Sequence, residues 1–292
     1  MKPPPRTRAE LLSELTRRLE EAGVAAPEAE ARALAQAALG EAPEVFFARL
    51  GEPVPEKALA RLEAWCSRRA TGEPLGLILG EVAFFGLSLR VRPGVFLPRP
   101  ETEGLVALAL ERLAKKRAPR VLDVGTGSGA IALALKHARP DAQVFASDPS
   151  PEALALAREN ARRLGLRVTL VPGRLTAGLR GLDLVVANPP YLPERYREEA
   201  PPELAYEPEE ALYAGEEGLD VARPLVREAL VALRPGGALL LELDPTNAGL
   251  LARELVGLGY RGVCTLPDLA GRPRYLLAHA PAPEAAGELG LA

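Results

Sequence analysis

The chain has 292 residues, 48% of them apolar, and 36 basic side chains nearly balance 39 acidic ones for a net charge of −3. That length is generous for one domain and comfortable for two, and the slight acidic excess gives no global electrostatic basis for holding nucleic acid, so no direct nucleic-acid partner is expected. Two distant cysteines, Cys66 and Cys264, and two histidines, His137 and His279, argue against a disulfide framework, a metal centre or a histidine triad and fit a reducing cytoplasmic setting.

Met1-Lys2-Pro3-Pro4-Pro5 is expected to fray. Arg8–Ala22 is periodic, with Leu11, Leu12, Leu15 and Leu19 on one face, and Gly23 closes it. Pro27 opens a second helix that runs to about Leu39 and stops at Gly40. A short segment follows around Val45–Leu50, and Pro55 opens another helix that ends near Gly72. Residues 1–74 therefore read as a helical N-terminal domain of about four helices. Its apolar stripes serve its own core, with a protein-binding surface as the sharper reading. Residues 75–98 change character. Gly80–Gly86 and Leu87–Val91 alternate like two strands around a glycine turn, a hairpin linking two domains. Leu97-Pro98-Arg99-Pro100-Glu101-Thr102-Glu103 leads into a helix at Leu105–Leu113 that Thr102 or Glu101 would cap.

From residue 120 the pattern alternates. Strands are predicted near 120–124, 143–147, 167–171, 182–187, 237–243, 260–264 and 274–279, and helices near 129–138, 150–163, 219–233 and 246–258. This is an α/β fold with a parallel sheet covered on both faces and an antiparallel edge. It occupies residues 99–280, and 281–292 read as a disordered tail. No signal peptide and no apolar run of about 18 residues is present, so no membrane partner is expected.

Three motifs fall at strand ends. Val121–Val124 stops at Gly125-Thr126-Gly127-Ser128-Gly129, and an Ala/Leu helix follows. Glycines allow a sharp turn and close ligand approach, and the helix start offers free N–H groups. The Gly-x-Gly-x-Gly spacing is not that of nicotinamide dehydrogenases. Asp148 ends the next strand, 19 residues past Gly129, near the offset of a carboxylate that holds a ribose diol, though Asp148-Pro149-Ser150 also reads as a helix start. With no Lys or Arg within residues 121–135, a nucleoside without phosphates is implied, which points to S-adenosylmethionine. The third motif is Asn188-Pro189-Pro190-Tyr191 after the apolar run 182–187. Prolines have no N–H, so this corner offers only carbonyl acceptors, with a further one from Asn188. Two fixed acceptors suit a planar NH2 group and repel a carboxylate. A plain turn is the bland alternative, but chance alone would place this tetrapeptide in only about one such chain in a thousand. The proline- and glutamate-rich insert at 192–218 reads as a lid or substrate loop.

These segments, with Tyr206-Glu207-Pro208 and Gly215–Leu219, resemble the bacterial protein-(glutamine-N5) methyltransferases that act on peptide-chain release factors, the PrmC/HemK family. The likeness covers nearly the whole chain. It implies a seven-stranded Rossmann-like class I methyltransferase sheet behind a small all-α substrate-binding domain and a β-hairpin. It implies a cytoplasmic enzyme, acting as a monomer, that methylates the glutamine of the Gly-Gly-Gln loop in release factors 1 and 2. Gly125, Thr126, Gly127, Ser128, Gly129, Asp148 and Asn188 would bind S-adenosylmethionine. Asn188, Pro189, Pro190 and Tyr191 would hold the substrate amide, with Tyr191 against its plane. Arg99, Glu101 and Thr102 would lie on the substrate side, and no metal is assigned. The family's acid and aromatic after the third strand are replaced here by Pro172-Gly173-Arg174-Leu175, and the usual glycine is missing from Leu241-Glu242-Leu243-Asp244. No site is assigned at either place. An adenine or guanine amino-methyltransferase of nucleic acid and a non-catalytic cofactor-binding module are the rival readings.

Overall fold

The computed structural model describes residues 6–282. The fray expected at 1–5 and all but the first two residues of the tail expected at 281–292 lie outside the described residues. The chain divides into two compact units, one running to Glu81 and including Pro201–Tyr206, the other comprising Val82–Ala200 and residues from Glu207 on.

The first unit is helical. Thr7 and Glu10 form a capping box that starts α1 (Arg8–Glu21). α2 (Pro27–Leu39) opens on a proline and closes on Gly40 at φ 66°. α3 (Pro43–Ala48) and α4 (Glu56–Ala70) follow. A fifth helix, α5 (Leu75–Leu79), was not predicted; Pro74 precedes it and Gly80, at φ 75°, ends it. Leu11, Leu15, Leu19, Leu34, Phe46, Leu62 and Ile78 form one core, so α5 packs with the other helices. The buried Arg69 pairs with Glu30 and, at 3.2 Å, with Glu203.

The hairpin strands are β1 (Glu81–Phe84) and β2 (Leu87–Arg90). Phe85 and Gly86 turn between them at φ 47° and 76°, the left-handed pair that matches the twist of a two-residue hairpin. The Phe85 N–H donates to Glu103 at 2.8 Å. Phe84, Leu87 and Leu89 pack with Leu105, Val106 and Leu113 of α6 (Pro100–Leu113).

The main sheet has seven strands, β3 (Arg120–Val124), β4 (Gln143–Asp148), β5 (Thr169–Pro172), β6 (Leu182–Ala187), β7 (Leu233–Glu242), β8 (Arg261–Pro267) and β9 (Pro273–His279), ordered β5-β4-β3-β6-β7-β9-β8. β3 pairs in parallel with β4 and β6, while β9 runs antiparallel to β7 and β8. Alternate residues face opposite layers. Leu122, Val185, Leu239 and Leu276 join the core built with α9 (Ala222–Ala232) and α10 (Ala248–Gly257). Val121, Leu184, Val186 and Leu240 join the core built with α6 and α7 (Ala130–Ala138). α8 (Pro151–Leu164) follows β4.

Strand order reverses at β3, and Val124 lies level with Ser147 and Ala187. Residues 125, 148 and 188 therefore emerge side by side at the carboxyl edge, where doubly wound sheets bind ligands. β7 starts earlier than predicted. Leu182 pairs with Leu233 and Leu184 with Ala238, so Arg234-Pro235-Gly236-Gly237 is an irregularity inside the strand. Among the described residues no helix is long and apolar enough to cross a membrane.

Candidate active site

The loop after β3 takes its shape from three glycines, Gly125, Gly127 and Gly129, at φ 70°, 55° and 87°. All lie in the left-handed region that costs other residues energy. A Cβ on Gly129 would stand 3.0 Å from Leu133 and 3.2 Å from Ala157, so a side chain there would push α7 off α8. Ser147 O accepts from the N–H groups of Gly125 and Thr126 at 2.8 and 3.0 Å. Asp123 is fully buried beneath the loop; its Oδ2 accepts from the Thr126 hydroxyl at 2.6 Å and from the Ala132 N–H at 3.1 Å. Burial pushes its carboxyl up to about 7, against those two hydrogen bonds and with help from the charge of Asp148. Thr126 therefore has its hydroxyl proton engaged below the loop.

Asp148 stands where the sequence placed it. Its Oδ2 accepts from the Gly127 N–H and its Oδ1 from the Ser150 N–H, both at 2.9 Å. Burial raises its pKa, opposed by those two bonds. The cap of α8 is Ser150, whose Oγ accepts from the Ala153 N–H at 3.1 Å. Asp148 thus closes an Asx turn before the helix and is not its cap.

The Asn188 corner follows β6. Asn188 Nδ2 donates to Thr102 Oγ1 at 3.1 Å. No hydrogen bond from a described residue reaches Asn188 Oδ1 or the Pro189 carbonyl. Asn247, which the sequence reading missed, donates from Nδ2 to the carbonyls of Tyr191 and Glu217 at 3.0 and 3.2 Å and pins the corner from behind. A cavity of about 360 Å³ runs along this edge. Its lining includes Gly125–Ser128, Asp148, Asn188, Pro189 and Pro190, with Ile131, Ala153 and Leu175 as apolar wall and Pro208, Glu210 and Ala211 from the insert. Arg174 is the one cation among its lining residues, against the carboxylates of Asp148 and Glu210.

Three of the expected site residues, Tyr191, Arg99 and Glu101, lie outside that lining. Tyr191 is not part of that lining; its ring packs on the core beside α9 and α10, and its hydroxyl donates to Glu242 at 3.3 Å. A buried phenol needs such a partner, and burial together with the Glu242 charge raises its pKa. Arg99 is also outside the lining. It pairs with Glu207 and lies over the Phe96 ring, while the other Glu207 oxygen accepts from the Leu97 N–H at 2.9 Å. Glu101 faces Arg272 at 3.6 Å, and its carbonyl accepts from the Tyr275 hydroxyl. Thr102 does line the cavity, but neither it nor Glu101 caps α6, because Pro100 starts the helix earlier and Arg99 holds the cap position without a side-chain bond. Arg174 and Leu175, given no role from sequence, border the cavity. Glu242, likewise unassigned, lies fully buried behind the corner, and burial pushes it up to about 7.

Residues 10–80 match the family described as PrmC N-terminal domain, and residues 86–204 match the methyltransferase small domain. A protein of Deinococcus radiodurans named release factor glutamine methyltransferase is 54% identical over 272 residues, 92% of this chain and 97% of its own. One of the same name from Moorella thermoacetica is 44% identical over 280 residues, covering 94% and 98%. A solved methyltransferase of Pyrococcus furiosus, 22% identical, superposes with a TM-score of 0.51 over 68% of this chain and 91% of its own, which shows the fold. Identity of 54% spread over nearly the full length of both proteins establishes that the chain belongs to the release factor glutamine methyltransferase family.

Proposed function

We propose that the protein transfers a methyl group from S-adenosylmethionine to the side-chain amide nitrogen of the glutamine in the Gly-Gly-Gln loop of release factors 1 and 2, acting as a monomer in the cytoplasm. One observation carries the reading. Asn188, with its NH2 end held by Thr102, and Pro189, with no N–H, border the same cavity as the glycine loop and Asp148.

The cavity's donor set fits the cofactor. Asp148 can accept from a ribose diol, Ile131, Ala153 and Leu175 offer apolar wall, and two carboxylates against one arginine favour a net positive guest. Gly125–Gly129, through backbone, and Asp148 would hold it. When bound, S-adenosylmethionine supplies an electrophilic methyl carbon on a sulfonium.

The chain's own contribution is orientation. A primary amide presents two N–H groups, and Asn188 Oδ1 and the Pro189 carbonyl would take one each. That fixes the nitrogen towards the cavity, and a carboxylate, which only accepts, is refused. Alignment of this kind is worth up to roughly 7–11 kcal/mol of a barrier, and both acceptors gain strength as the nitrogen becomes positive. The extra proton leaves the acidified nitrogen after transfer, so no base has to remove it first.

Incubation with a purified release factor and S-adenosylmethionine is expected to add one methyl to the loop glutamine, read by mass spectrometry, with no label passing to DNA or rRNA. Asn188→Ala should keep cofactor affinity and lower kcat by about 10²–10³-fold. A near wild-type rate in that variant defeats the reading.

A further inference from the structure

The end of β7 carries a buried acid that the transfer described above does not use. Leu241 pairs with Ala187, which brings Glu242 level with Asn188. Glu242 Oε1 accepts the Tyr191 hydroxyl, and Oε2 has no hydrogen-bond partner among the described residues. Beside it, Thr102 is buried and takes the Asn188 NH2 group on its oxygen. The Thr102 hydroxyl is also among the groups that favour a charged Glu242.

A threonine hydroxyl has one proton to donate. When that proton points to the Glu242 carboxylate, the lone pairs face Asn188 and only its NH2 end can meet them. Oδ1 is then left for the cavity. When Glu242 is neutral, it can itself donate to Thr102. The hydroxyl then turns round, donates to Asn188 Oδ1, and leaves NH2 facing an incoming NH2. The direction of one buried proton thus sets whether the corner accepts or repels.

We propose that Glu242 is a positioning residue for methyl transfer, one that keeps Asn188 Oδ1 turned to the cavity through Thr102 and braces the proline corner through Tyr191. The proposal rests on Asn188 being the amide acceptor. Its charge state is set by several neighbours. Burial raises it most; Thr102, Arg274 and Tyr191 favour the charged form, and Glu101 opposes it. Tyr275 faces the same carboxylate from β9, and Arg274 is itself bound to Asp268 at 3.0 Å. With Glu242 pushed up to about 7, kcat should rise with pH through that range as the carboxylate forms.

The test uses the full chain, S-adenosylmethionine and a purified release factor bearing the Gly-Gly-Gln loop. Glu242→Gln and Thr102→Val are each expected to lower kcat by about 10- to 100-fold, with cofactor affinity of Glu242→Gln unchanged by calorimetry. Thr102→Ser, which keeps the hydroxyl, should recover most of what Thr102→Val loses, and the rise of kcat near neutral pH should vanish in Glu242→Gln. Wild-type kcat in both Glu242→Gln and Thr102→Val, with Asn188→Ala inactive, overturns the positioning role and leaves the acceptor reading standing. An active Asn188→Ala removes the acceptor reading itself. A pH limb that survives in Glu242→Gln belongs to a group other than Glu242, Asp123 being also pushed to about 7, and overturns the proposal. If Glu242→Gln does not fold, the Thr102→Val and Thr102→Ser pair decides.

Discussion

Leu175 and Ala177 hold left-handed backbone, at φ 50° and 48°, in the loop after β5. Left-handed conformations cost a residue with a Cβ about 1–2 kcal/mol. At Leu175 the conformation sits on the cavity wall, locked by the Ser147 hydroxyl that donates to its carbonyl at 2.7 Å, so strain is held where a ligand would lie. Ala177 is outside the cavity lining and has no such reason for it. Ala177→Gly removes the strain, and the extra freedom of glycine in the unfolded chain returns roughly 0.5–1 kcal/mol of that gain. The expected net is a stabilisation of about 0.5–1 kcal/mol, read as a higher urea midpoint with kcat unchanged. The missing N–H groups of Pro189 and Pro190 follow from residue type alone and were legible; which end of the Asn188 amide turns away was not, because its partner Thr102 is 86 residues away in the chain. The placing of Tyr191 was not, because its hydroxyl partner, Glu242, is 51 residues away in the chain and meets it only through the pairing of β6 with β7.

Among the elements, those with clear start and stop residues were read best. Pro27 and Gly40 bound α2 as predicted. α5 was lost because Leu75–Leu79 is five residues long, too short for a helical period to show. α6 was placed too late because its first turn, Pro100–Glu103, carries none of the apolar residues on which the period was judged. At α8 the sequence showed a helix start at Asp148-Pro149-Ser150; the helix uses the serine as its cap while the aspartate ties the turn to Gly127. Ser150→Ala should therefore cost the helix about 1 kcal/mol, seen as a lower denaturant midpoint, and leave the Asp148 bond to Gly127 in place. A midpoint equal to wild type would show that the cap contributes nothing.

For the molecule as a whole, the two acids buried behind the site shape stability against pH. Asp123 and Glu242 are each pushed up to about 7 from ordinary values of 3.8 and 4.5. The folded state keeps protons that the unfolded chain has released. Each group's contribution is therefore complete below its unfolded pKa and is lost as pH rises through about 7, at up to about 1.4 kcal/mol per pH unit. Urea unfolding of the wild type should show stability falling between pH 4.5 and 7, and the double variant Asp123→Asn, Glu242→Gln should flatten that slope. An equal slope in both proteins would assign it to other groups.

β9 follows β8 in the chain yet lies between β8 and β7 in the sheet, and it supplies Tyr275, Leu276, Leu277 and Ala278 to the two cores. During synthesis, at roughly 5–20 residues per second, the helical unit through α5 and the parallel strands leave the ribosome well before the piece that closes the sheet. Until residues 273–279 are free, β7 carries an open edge and its two covering layers lack a row of apolar side chains, the condition under which strands pair with the wrong neighbour. The nascent domain therefore has an interval of vulnerability that ends only with nearly the last of its strands' residues, and rare codons or stalling upstream of β9 would lengthen it.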